Sequence, residues 1–335
     1  MTGRVTLLAC AAALGSAALL AQQAPVYRSA TQTVPVYATV TDGTRLVTDL
    51  ARGDFEILDN GRPQPVVLFD NSIQPISIIL MLDTSGSMSG NISVLRNAAV
   101  QMFTRLLPDD KARVGNFGDR ISISPEWTNN IDDLIRTLWL EVQPGGPTPL
   151  WAAVNVSMTA MSRVSGRRVV LVLSDGKDTG PLGGMPGTRP TTQLPNVILR
   201  AQTEDFMIYA IGFSSRSAPP IIIGSAPPGG ATMGLPPPGG RGRRGYGDDE
   251  GPDPGLQTLA AESGGGYFEV TEHTELGPAF ARIADELHRQ YLIGFVAPEN
   301  DGKIHKIEVR VRKPGLLVRA RNSYQAPRSQ KQPRP

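Results

Sequence analysis

Residues 76–88 read ISIILMLDTSGSM. Ile76 to Leu82 is a nearly continuous apolar run, the pattern of a strand buried on both faces, and it ends in Asp83-Thr84-Ser85-Gly86-Ser87-Met88. A second such run, Val169-Val170-Leu171-Val172-Leu173, ends in Ser174-Asp175-Gly176-Lys177-Asp178. Strand-like stretches at 112–117, 121–124, 207–213 and 267–270 alternate with helix-like stretches at 94–107, 131–140, 149–164, 196–204, 255–262 and 275–289. Strands alternating with helices predict an α/β fold built on a doubly wound, mostly parallel sheet.

Outside that block the pattern turns to β. Val34 to Val40 alternates with period two, and Phe55–Leu58 and Pro65–Phe69 flank Asp59-Asn60-Gly61, an Asn-Gly hairpin signal. After the block, 291–296, 303–312 and 316–321 read as strands. Neither end has enough strands for a stable core alone. The segments 30–72 and 291–325 are therefore expected to pack together as one small flanking β-sandwich-like domain, with the α/β domain of residues 75–290 inserted between them. Residues 326–335 are polar, basic and proline-containing, and are expected to be a disordered tail.

The N-terminus has Arg4, an apolar run from Val5 to Ala21, and then Gln22-Gln23. Residues 1–21 read as a secretory signal peptide, which places the chain outside the cytoplasm, secreted or in the periplasm or cell envelope. An uncleaved membrane anchor and a lipid-modified Cys10 are the alternatives, and an N-terminal anchor is the only membrane contact foreseen. Cys10 is the only cysteine and there are three histidines, which argues against zinc, disulfide and iron–sulfur scaffolds. A net charge of +2 does not suggest a nucleic-acid partner. The chain carries 36 Gly and 29 Pro. Residues 214–254 hold 10 Gly and 9 Pro, which predicts a long insertion without helix or central strand.

In an open parallel sheet, ligands bind outside the carboxyl ends of the strands where the strand order reverses. Both acidic turns should lie on that edge, and between them in sequence is Gly145-Gly146-Pro147-Thr148-Pro149-Leu150, a loop opening a helix. Asp83, Ser85, Ser87, Thr148 and Asp175 are all hard oxygen donors, and no His or Cys joins them. Such a set suits Mg²⁺, or Mn²⁺ and Ca²⁺. Alternate residues Asp83, Ser85 and Ser87 can converge on one point if the turn curls, and Gly86 offers no side chain to obstruct it.

On these residues the sequence resembles the von Willebrand factor type A domains over about residues 75–290. Their metal-ion-dependent adhesion site has D-x-S-x-S, a later Thr, and a later Asp in a strand–Ser-Asp-Gly context. The flanks DFEILDNGRPQPV and YLIGFVAP resemble those of secreted bacterial proteins of this kind common in Acidobacteria. The resemblance implies a Rossmann-like fold and metal-dependent protein binding without catalysis. It implies Ser85 and Ser87 as direct ligands, Thr148 as a ligand of the bound form, and Asp83 and Asp175 acting through water. A Glu or Asp of a protein partner would complete the coordination, and no small-molecule substrate is expected. Two other functions stay open: a Mg²⁺-dependent hydrolase using the same acidic edge, and a structural envelope protein with a vestigial site.

Other signals are read more plainly. Arg52-Gly53-Asp54 is taken as a turn, and Gly240 to Gly245 fits GxGxxG without the strand and helix that a dinucleotide site needs. His273, His288 and His305 are expected at the surface. Lys303, Lys306, Arg310, Arg312, Lys313, Arg319 and Arg321 are expected on a solvated strand face. Lys177 and Asp178 read equally as groups that tune a partner's charge or as plain rim residues.

Overall fold

The structure, a computed structural model, describes residues 33–180, 192–214, 252–271 and 273–328. The chain opens with β1 (Thr33–Asp42), β2 (Arg45–Leu46), β3 (Phe55–Asp59), β4 (Arg62–Gln64) and β5 (Leu68–Asp70). Then come β6 (Ile76–Asp83), α1 (Ile92–Phe103), β7 (Lys111–Phe117), β8 (Ile121–Ile123), α2 (Ile131–Glu141), α3 (Leu150–Ala160) and β9 (Arg167–Ser174). They are followed by α4 (Leu194–Thr203), β10 (Met207–Phe213), α5 (Gly255–Ser263), β11 (Tyr267–Val270) and α6 (His273–His288). β12 (Tyr291–Val296), β13 (Ile304–Val311), β14 (Leu317–Ala320) and β15 (Ser323–Gln325) end the series.

β6 lies at the centre of a sheet ordered β11-β10-β9-β6-β7-β8. Every pairing is parallel except β7 with β8. Because strand side chains alternate between faces, Ile78, Leu80 and Leu82 enter one core with Leu95, Met102, Phe280 and Ile283 of α1 and α6. Ile79 and Met81 enter the other with Trp151, Val154, Leu256 and Leu259 of α3 and α5. The uninterrupted apolar run of β6 therefore serves two cores at once. The strand order reverses between β6 and β9, so Asp83 and Asp175 face each other across the switch point.

The flanking strands form two antiparallel sheets. One is β14-β1-β12-β5 with β2 beside β1, and the other is β15-β13-β3-β4. Strands from both ends of the chain meet in each: β1 pairs with β12 and β14, and β3 pairs with β13. Val36, Ile57, Ile293, Phe295, Ile307 and Tyr324 are among the residues that fill the space between them.

The hairpin differs from expectation. Asn60 (φ 48°) and Gly61 (φ 78°) make the left-handed turn, but its second strand is Arg62–Gln64 rather than 65–69. Pro63 has no N–H to donate and is tolerated because β4 is an edge strand. Beyond Pro65 the chain crosses over, and Leu68–Asp70 pairs with β12 in the other sheet. The short strand β15 was not foreseen.

Two of the histidines are buried, contrary to the surface positions expected. His288 is 7% exposed and its Nε2 lies 2.7 Å from Asp110 Oδ2; His305 is 3% exposed. Arg319 and Arg321 also leave the solvated face assigned to them. Arg319 pairs with Glu286, and Arg321 lies 2.6 Å from Asp205. The Glu286 pair belongs to a buried polar cluster that joins the α/β block to the flanking sheet. Glu286 accepts from Thr39 of β1 and from Tyr209 of β10. Gln290 Nε2 donates to Thr39 Oγ1 at 2.7 Å and to Tyr209 Oη at 2.9 Å.

Asp110 ties down the opposite end of the sheet from the acidic turns. Its Oδ1 accepts Ile76 N at 2.9 Å, and its Oδ2 accepts Leu107 N at 2.7 Å as well as facing His288. Capture of Leu107 N helps turn the chain after Phe103, so α1 stops short of the expected residue 107. Burial raises the Asp110 carboxyl, but hydrogen bonding from His288, Leu107 N and Ile76 N outweighs it and leaves the group below the usual carboxylate value. A carboxylate lowered on folding stabilises above its unfolded pKa, and that stability is lost as pH falls through the lowered value. Asp110→Asn should cost about 2–3 kcal/mol at pH 7, with the gap to the parent closing towards pH 2. Urea unfolding at the two pH values checks this, and an equal gap at both would refute it.

Candidate metal centre at the carboxyl edge

Three loops meet at the end of β6. Asp83 is fully buried; its Oδ1 accepts Ser85 N at 2.8 Å and its Oδ2 accepts Ser174 Oγ at 2.5 Å. The first bond curls the chain after Asp83, and residues 86–90 continue as a 3-10 turn. Ser85 Oγ and Ser87 Oγ lie 3.1 Å apart, and Ser87 Oγ donates to Asp175 Oδ1 at 2.8 Å. The loop before α3 is sewn to the first loop by Gly86 N to Gly146 O at 3.1 Å and by Gly145 N to Thr84 O at 2.6 Å. Thr148 is 6% exposed, and its Oγ1 would lie 3.6 Å from a methyl group placed on Gly176. The structure thus gathers all five predicted residues at one edge. Asp83, Ser85, Ser87 and Asp175 form a hydrogen-bonded chain, and Thr148 stands against the loop that follows Asp175.

The parts played by Ser174 and Asp119 were missed in the sequence, and Asp178, read there as a partner-tuning or rim residue, has a bracing contact. Ser174 holds Asp83 from the neighbouring strand; its position before Asp175 in Ser-Asp-Gly was visible, but its role was not. Gly146 (φ 89°) brings its backbone against Asp119, and a methyl group there would lie 2.2 Å from Asp119 N and 2.3 Å from Asp119 Oδ1. Asp119 therefore adds a carboxylate at this edge, and nothing in its local sequence marked it. Asp178 braces the loops around the site. Its Oδ1 accepts Trp151 N at the start of α3 at 3.3 Å, and its N donates to Asp253 Oδ2 at 3.2 Å.

The electrostatics favour a cation. Burial pushes the Asp83 carboxyl up to about 6, only partly offset by the hydrogen bonds of Ser174 and Ser85. Burial also raises Asp175 despite the Ser87 hydroxyl bonded to it. The donors, three hydroxyls and two carboxylates, fit a hard divalent ion. Octahedral Mg²⁺ with bonds of roughly 2.0–2.1 Å sets neighbouring oxygens about 3 Å apart, close to the 3.1 Å between the two Ser hydroxyls.

Fold and edge together define the class: a doubly wound α/β domain, carried on a flanking β-sandwich, with an all-oxygen donor cluster at its topological switch point. The family model of the von Willebrand factor type A domain matches residues 78–177. No curated protein matches significantly.

Solved structures resemble the chain at low identity. A von Willebrand factor type A protein from Catenulispora acidiphila is 11% identical with a TM-score of 0.47, over 91% of this chain and 76% of that one. Proximal thread matrix protein 1 from the mussel byssus, solved with a zinc-occupied MIDAS motif, is 15% identical with a TM-score of 0.46. That match covers 69% of this chain and 50% of the mussel chain. The vWF domain of the type V pili tip protein Mfa5 from Porphyromonas gingivalis is 11% identical with a TM-score of 0.43, over 64% and 95%.

Among the described residues no helix is long and apolar enough to cross a membrane. Residues 1–21, read above as a signal peptide, most of residues 214–254 and the end of the tail lie outside the described residues.

Proposed function

We propose that this chain is an exported, non-enzymatic adhesion module that binds a carboxylate of a protein partner through a divalent cation of the Mg²⁺ type. The observation that carries the reading is the chain Ser174–Asp83–Ser85–Ser87–Asp175 at the switch point, an all-oxygen donor set buried at Asp83, Ser85 and Ser174 and open to solvent at Ser87. Ser85, Ser87 and Thr148 would hold the ion through neutral hydroxyls, while Asp83 and Asp175 supply the balancing charge. A bound ion with mostly neutral donors remains electrophilic and attracts an external carboxylate. Asp83, itself held by Ser174, fixes the Ser85 backbone, Asp175 holds the Ser87 hydroxyl, and Gly86 leaves the approach open.

A histidine-based hydrolase reading finds no support in the two buried histidines. His288 bonds Asp110, which holds Ile76 at the opposite end of β6, and His305 lies in the flanking sandwich. Neither supplies a general base at this edge. The loops after β9 and β10 leave on the partner-facing side, where they would set partner choice.

Titration with Mn²⁺ followed by electron paramagnetic resonance should show a bound equivalent that Mg²⁺ displaces and whose affinity falls at least tenfold in Ser85→Ala. Capture of envelope proteins in Mg²⁺ should be reversed by EDTA and lost in the same variant. Capture that persists in EDTA would overturn the reading.

A further inference from the structure

A second cluster lies in the flanking sandwich, on the turn between β12 and β13. Glu299, Asp301 and His305 each bring one ligand atom to within 4.8 Å of the others. The positive φ of Gly302 (74°) folds this turn back, so that Asp301 reaches His305 Nε2 at 3.2 Å. Glu299 is exposed and makes no hydrogen bond or ion pair among the described residues. Asp301 Oδ2 also lies 3.4 Å from the Nζ of Lys303, whose side chain is 79% exposed, and that contact is weak in solvent.

The imidazole is held from behind. His305 Nδ1 lies 3.0 and 3.1 Å from the two oxygens of Asp59 on β3, a residue only 2% exposed. Tyr324, opposite His305 on β15, donates to Asp59 Oδ2 at 3.3 Å and packs edge-on against the ring. The ring therefore cannot turn. Nδ1 faces the sandwich interior, and Nε2 faces the two carboxylates of the turn. Apolar residues often replace a buried charged pair without loss of stability, so packing alone gives little reason to bury Asp59 and His305 here. A buried carboxylate on the far nitrogen is, however, what fixes the tautomer and orientation of a metal-bound imidazole.

We propose that Glu299, Asp301 and His305 Nε2 bind one divalent transition-metal ion of the zinc class, with Asp59 as the carboxylate that orients the ring. One imidazole and two carboxylates form a borderline donor set that suits Zn²⁺ better than Mg²⁺. The 3.2 Å between Nε2 and Asp301 Oδ1 is about the separation of neighbouring ligands around an ion with bonds near 2.1 Å. The low count of Cys and His argued against zinc in the sequence, but that argument assumed thiolate- or imidazole-rich sites and gave no weight to carboxylates brought together by a turn. This site is separate from the Mg²⁺-type edge in both elements and chemistry. Its ion would clamp the β12–β13 turn onto the start of β13, where Asp59 of β3 holds the His305 ring.

With only three histidines in the chain, their ring nitrogens can be followed by long-range ¹H–¹⁵N NMR on the full chain as Zn²⁺ is added in excess Mg²⁺. One equivalent should shift His305 Nε2 to a metal-bound position and leave His288 unmoved. Glu299→Gln and Asp301→Asn should each weaken Zn²⁺ binding at His305 at least tenfold, and Glu299→Gln should leave the melting temperature without metal unchanged. A His305 ring that does not respond to millimolar Zn²⁺ would overturn the proposal, as would unchanged affinity in both variants.

Discussion

Asp83→Asn is expected to abolish divalent-ion binding at the carboxyl edge while leaving the fold in EDTA as stable as the parent or more so. The two effects separate because the group is costly in the folded chain. Its side chain is fully buried and burial lifts its carboxyl to about 6, so at neutral pH the protein holds an ionised group in a site that resists ionisation. A carboxyl raised on folding destabilises the metal-free protein progressively as pH climbs from the unfolded value near 4 to about 6. Asparagine removes that charge and satisfies the same neighbours. Its Oδ1 accepts Ser85 N, and its Nδ2 donates to Ser174 Oγ, whose hydrogen can turn to Gly176 O, already 3.3 Å away. The ion, in contrast, loses one of the two carboxylates that balance its charge. Thermal melts in EDTA and Mn²⁺ titration of the same sample check both halves. Binding retained within twofold would remove Asp83 from the site, and a variant that melts well below the parent would show the carboxylate to be structural instead.

The second large effect falls on stability. Gly265 follows the left-handed residue Gly264 (φ 80°) at the end of α5, where Gly265 N closes the helix on Ala260 O at 2.9 Å. A methyl group on Gly265 would lie 1.9 Å from Ile208 O and 2.5 Å from Ile208 C. Those atoms belong to the backbone of β10, held by β9 on one side and β11 on the other, so they cannot give way. Gly265→Ala should therefore cost on the order of 3–5 kcal/mol, a large share of a domain's total stability. Gly90→Ala, where a methyl group meets nothing within 4 Å, serves as the control and should change stability by about 0.5 kcal/mol or less. Urea melts of the two variants decide the matter. A Gly265→Ala protein as stable as the Gly90→Ala protein would mean that β10 and α5 can part.

Much of this protein is determined by local sequence. Ile76–Leu82 and Val169–Leu173 announce strands buried on both sides because nothing polar interrupts them, and the alternation of such runs with helices leads to the doubly wound sheet. The hard-oxygen donors were legible for a related reason: the carboxyl ends of parallel strands share one edge, so residues far apart in sequence converge by topology alone.

What only the tertiary structure decided are the contacts that no spacing encodes. Pro63 and Pro65 ended the hairpin early and sent Leu68–Asp70 to the other sheet. His288 and His305 were buried because Asp110, from the loop before β7, and Asp59, from β3, arrive to receive them. Asp119 reached the acidic edge because Gly146 lets two backbones touch. A strand's pattern records which faces are apolar, but a buried polar group survives only where another segment brings its partner. That partner is chosen by the packing of whole sheets and is not written beside the residue it serves.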